Sequence, residues 1–192
     1  MGKFSKFLSA LLAVTIAYSA NADDSFEFWP AANYDSGVPT LEQTVGYGSG
    51  DHITTHNDLV RYFEALAAAA PDRIKLFEYG KTWEGRRLIY VAISSAENIA
   101  KLDSFKGDMQ ALTDPRKTDA ATAAKIIETL PASTWLAYGV HGNEISSSDA
   151  AIQTAYHLLA SMTHRTYPNP NYSTSDGIHT LLIEAMKSRN KK

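Results

Sequence analysis

The run Thr134 to Val140 (TWLAYGV) constrains this chain more than any other segment. Nearly all its residues are apolar, so as a strand it needs cover on both faces. That requirement predicts an α/β fold with helices packed on either side of a sheet. The residues that follow agree. His141 to Glu144 reads as a turn, and Ser146 to Met162 as a helix with Ile152, Ala155, Leu158 and Leu159 on one face.

Upstream, Thr55 with Asp58 three residues later resembles a capping box, and Leu59, Tyr62, Phe63 and Leu66 continue at helical spacing until Pro71. Arg73 to Tyr79 alternates apolar and polar residues, as a half-buried strand does. With Arg87 to Ser94 it predicts a hairpin whose turn, Gly80 to Gly85, includes Trp83 as a shield. Ser95 is placed to cap a helix to about Leu112, and Thr118 to Leu130 predicts another, closed by Pro131. Residues 23–50 read as an irregular lead-in. Its aromatics Phe26, Phe28, Trp29 and Tyr34 pack on the domain, and Gly46, Gly48 and Gly50 mark turns. The domain proper spans 51–192. Its composition changes from about Thr163, with a loop to Ser175 and then an amphipathic helix over Ile178 to Arg189.

The first 22 residues are not part of the predicted fold. Lys3 and Lys6, the apolar run Phe7 to Tyr18 and the small residues Ala20-Asn21-Ala22 have the order of a secretory signal peptide. The expected location is periplasmic or secreted. The formal charge is −3 and there is no long basic run, which argues against a nucleic-acid partner. The sequence has no cysteine, so an exported chain of this kind folds without disulfides. No second long apolar stretch follows the leader, so no membrane association is expected after cleavage.

The chemistry centres on Tyr138-Gly139-Val140-His141-Gly142-Asn143-Glu144. An imidazole closes the strand and a carboxylate follows three residues later. Both groups bind zinc at about 2.0–2.2 Å. Gly142 is placed to bend the backbone so that both side chains aim at one point. In open α/β sheets, sites form just beyond the carboxyl ends of strands. On these residues alone a second reading stands, in which His141 bonds backbone and Glu144 caps the next helix.

Trp135 to Ala150 (WLAYGVHGNEISSSDA) resembles the zinc-binding segment of metallocarboxypeptidases of the carboxypeptidase A type. Tyr79 to Ser94 (YGKTWEGRRLIYVAIS) is similar to the early hairpin of that family. The resemblance spans roughly Thr55 to Ala160. It implies an α/β fold with a carboxypeptidase-like mixed β-sheet flanked by helices, here partial and truncated at the C-terminus. It further implies one zinc ion, with His141 as first ligand and Glu144 as second. Asn143 stands where pancreatic-type members often carry a substrate-contacting arginine, and is the candidate substrate contact. The substrates implied are peptide or protein C-termini, from which the terminal amino acid is released.

The family's third ligand, substrate-carboxylate anchors and general base lie further downstream, so the catalytic residues stay unassigned. The chain is expected to be weakly active or inactive alone, with a bare sheet edge prone to self-association. The turn also resembles that of zinc deacylases of the aspartoacylase type, and a non-catalytic exported binding module is the remaining alternative. His52 and His56 read as solvated loop residues, and His157 as a packed helix residue. His164 and His179 fall in the altered tail. Glu84, Arg86 and Arg87 read as a solvated turn, and Glu184 as a surface charge.

Overall fold

The computed structural model describes residue 29, residues 32–162 and the backbone of residues 180–185. The leader, Phe26, Phe28, His164 and His179 lie outside the described residues. The chain divides into two compact units, Met1–Ala32 and Asn33–Lys192, and the fold described is that of the second.

The lead-in is more ordered than its composition predicts. Helix α1, Leu41–Val45, opens with a reciprocal capping box: Gln43 N–H donates to Thr40 Oγ1 at 3.2 Å, and Thr40 N–H to Gln43 Oε1 at 2.8 Å. Gly46, at φ +91°, ends it. Helix α2, His56–Ala69, is capped by Thr55, whose hydroxyl accepts from Asp58 N–H at 3.1 Å. His56 is not a solvated loop residue. It opens α2 on the same face as Leu59, Val60 and Phe63 and is buried with them.

Strands β1 (Ile74–Lys81) and β2 (Arg87–Ile93) pair antiparallel, from Ile74 opposite Ile93 to Lys81 opposite Arg87. The turn closes through Thr82 N–H to Arg86 O at 2.8 Å, with Gly85 at φ +76°. Trp83 shields nothing; on the turn its ring is fully exposed. Ser95 caps as expected, but the single helix anticipated to Leu112 is two. Helix α3 (Ala96–Ala100) stops at Lys101, and α4 (Leu102–Thr113) resumes from it. Helix α5, Ala120–Thr129, is capped by Asp119.

Strand β3, Ser133–Tyr138, leads to helix α6, Ser146–Ala160. Strand β4, Thr180–Ala185, lies where the sequence predicts an amphipathic helix. It pairs antiparallel with β2 and parallel with β3, so non-local pairing on both edges decides its conformation. Among the described residues the sheet is four-stranded and mixed, in the order β1-β2-β4-β3. That order also corrects the expectation for β3. It is an edge strand, and Trp135 is 52 % exposed.

One face of the sheet carries the core. Ile74, Ile89, Val91 and Ile93 meet Leu59, Tyr62, Phe63 and Leu66 of α2 and Ala151, Ile152, Ala155 and Leu159 of α6. Tyr62 donates its hydroxyl to Pro39 O at 3.0 Å, and burial pushes its pKa up. No helix among the described residues is long and apolar enough to cross a membrane.

Candidate metal centre

Strand β3 ends at Tyr138, and the chain turns at Gly139, whose φ of +74° suits a residue without Cβ. The left-handed bend therefore falls here and not at Gly142, the glycine singled out in the sequence. Backbone bonds then shape the turn: Glu144 N–H to His141 O at 3.1 Å, Ile145 N–H to Asn143 O at 3.1 Å, and Ser147 N–H to Glu144 O at 3.2 Å. Tyr138 pairs with Ala185 across parallel strands, so the turn lies just beyond the carboxyl ends of both β3 and β4.

The turn brings the two expected ligands together. His141 Nδ1 and Glu144 Oε1 are 2.9 Å apart, with side chains 70 % and 52 % exposed. Two donors of one tetrahedral zinc at these bond lengths sit about 3.4 Å apart. The pair needs to open by only about half an ångström to take an ion between its atoms, and nothing buried resists that. Imidazole nitrogen and carboxylate oxygen are suitable zinc donors, so the residues fit as two ligands. Asn143, between them, is exposed.

The other described histidines do not join the pair. His157 is buried, with Nδ1 3.0 Å from the Tyr34 hydroxyl. His56 is buried at the start of α2, and His52 stands edge-on to Tyr47 with ring centres 5.2 Å apart. Among the described residues no group of three or more His, Cys, Asp or Glu is placed to hold a metal. The expected setting of Glu184 on a surface helix is replaced by a position on β4 opposite Tyr90 and Ala137.

Two concavities of about 610 Å³ lie elsewhere. One is apolar, between the second face of the sheet and α4, with Phe77, Tyr90, Phe105, Met109 and Trp135 in its lining. The other is polar, between α2 and the hairpin turn. The turn's charges are paired structurally. Arg86 meets Glu84 at 2.5 Å, while Arg87 bonds Glu64 of α2 and Glu78 at 2.8 Å. The hydrogen bonds it donates to Glu64 and then to Glu78 hold the Arg87 guanidinium above its ordinary pKa.

Side chains of β3 and α6 hold the turn at both ends. Tyr138 Oη lies 3.1 Å from Thr154 Oγ1 on α6. Asp149, in the first turn of α6, accepts a hydrogen bond from buried Thr54. An acid in the first turn of a helix is a legible signal. Its partner, far away in sequence, is not.

Among known families, residues 59–176 match the model described as zinc carboxypeptidase. The matched stretch includes the hairpin, the HGNE turn and α6. Neither curated proteins nor solved structures give a match.

Proposed function

This chain belongs to the zinc carboxypeptidase family, and from that premise we propose that His141 and Glu144 hold a zinc ion in an exported peptidase acting on peptide C-termini. The observation that carries the reading is the convergence of His141 Nδ1 and Glu144 Oε1, at 2.9 Å, behind two parallel strands. The chemistry a bound ion supplies is Lewis-acid polarisation of the scissile carbonyl.

The chain's own residues prepare that role. Holding the ion would replace the His141–Glu144 hydrogen bond. The imidazole must then present a bare Nδ1 and keep its proton on Nε2. The open setting of the turn lets an extended peptide approach, and exposed Asn143 offers an amide to it. With two ligands among the described residues, the chain alone binds zinc weakly and turns over little. Export is supported by the order of the leader: Lys3 and Lys6, then Phe7 to Tyr18, then Ala20-Asn21-Ala22. The edge of β3, unpaired among the described residues, with Trp135 and Val140 exposed beside it, supports self-association.

Equilibrium dialysis of the whole chain against zinc tests the site. His141→Ala and Glu144→Ala should each abolish the uptake seen in the parent, and uptake unchanged in both would end the reading. Blocked dipeptides and acylated amino acids, assayed side by side, separate a peptidase from a deacylase. Robust turnover with stoichiometric zinc would overturn the claim of weak activity.

A further inference from the structure

We infer that Thr54 and Asp149 are positioning residues for the His141–Glu144 pair, an inference that rests on the metal reading. Among the described residues the pair has little packing of its own, because both side chains are more than half exposed. Its geometry is therefore set by the ends of the segment that carries it. On the strand end, Tyr138 is tied to Thr154, whose hydroxyl also donates to Ala150 O at 2.8 Å. The helix end is weaker by itself. Ile145 occupies the N-cap of α6 and makes no side-chain cap bond. A helix start leaves backbone N–H groups without intrahelical partners and frays unless something holds it.

Asp149 supplies that hold. Its carboxylate lies in the first turn of α6, where negative charge is favoured. Thr54 donates to it from a fully buried position. Thr54 adjoins Thr55, the cap of α2, so one bond joins the starts of two helices whose residues are 95 apart in sequence. Nearby, the Tyr47 hydroxyl donates to Asp58 in the first turn of α2 at 3.1 Å. With the tether cut, the first turn of α6 loosens and Glu144 swings free of His141.

The test uses the full chain, zinc titrated against a chromogenic chelator, and amide exchange on the zinc-free protein. Thr54→Val and Asp149→Ala should weaken zinc binding about tenfold or more, while Thr54→Ser and Asp149→Asn, which keep a donor and an acceptor, stay within about twofold of the parent. In the first pair, amides of Glu144, Ile145 and Ser147 should exchange faster while that of Val91 in β2 is unchanged. Parental zinc affinity in Thr54→Val, alongside a loss in His141→Ala, would overturn the positioning role and leave the metal reading intact. Parental affinity in His141→Ala would overturn both. Faster exchange at Val91 to the same degree would show general destabilisation and likewise overturn the positioning role.

Discussion

The two faces of the sheet meet different neighbours. On one, α2 and α6 bring Tyr62, Phe63, Leu66, Ile152 and Leu159 to near-complete burial against β1 and β2. On the other, α4 and α5 contribute no buried residue, and an apolar cavity of about 610 Å³ separates α4 from the aromatics Phe77, Tyr90 and Trp135. Phe77 and Tyr90 stack at 4.8 Å between ring centres, and Tyr90 reaches Trp135 at 6.1 Å. These aromatics pack on each other more than on a covering layer. Amphipathic helices form on both sides, and only one pair of them finds a surface that closes over its apolar stripe. Helix formation and helix burial are thus separate achievements here.

Substitutions can break that contrast. The largest effect is expected from Phe63→Ala, which empties a fully packed site and should cost about 3–5 kcal/mol in denaturant unfolding. Ile127→Ala on α5, two-thirds exposed, should stay within about 0.5 kcal/mol. Similar losses at the two sites would mean that the faces are packed alike. Helix caps sharpen the same comparison. Thr55→Ala, at the start of a helix packed into the core, should cost about 1 kcal/mol of global stability.

The smallest effect concerns acid. Hydrogen bonds from Thr122, backbone first, hold the Asp119 carboxyl below the usual range, and hydrogen bonds from Arg116 do the same for Asp114. A depressed folded-state pKa stabilises above the unfolded value, about 3.9 for aspartate, and that contribution is lost as pH falls through the folded value. Acidification below about pH 4 should therefore loosen α5 slightly, visible in helix circular dichroism. Asp119→Asn, which still caps, should blunt that change.

The parts legible in the sequence were local. Thr55 announced α2, the alternation of Arg73 to Tyr79 announced β1, and Ser95 announced a helix start. The HGNE spacing, read with the apolar run before it, located the pair that the structure brings to 2.9 Å. What escaped was settled by distant partners. TLLIEA carries no period that separates a strand from a buried helix, and only pairing with β2 and β3 decides it. Trp135 has the composition of an interior residue, but β4 took the interior place. The Thr40–Gln43 box was readable and missed, because the residues around it resemble loop. Thr54 and Asp149 carry no joint signal, since neither residue type nor spacing announces a contact between the starts of two helices.

The strand order has a consequence for the order of synthesis. The β1–β2 ribbon can zip up as soon as Ile93 has emerged, from neighbours close in the chain. For β3 the wait is longer: its hydrogen-bonding partner does not exist until Ala185 has been made. Late, non-local pairing of this kind slows folding and lengthens the time a nascent chain exposes an unpaired strand. For this polypeptide that interval ends when β4 slips between two strands already synthesised, joining a two-stranded ribbon to the lone β3.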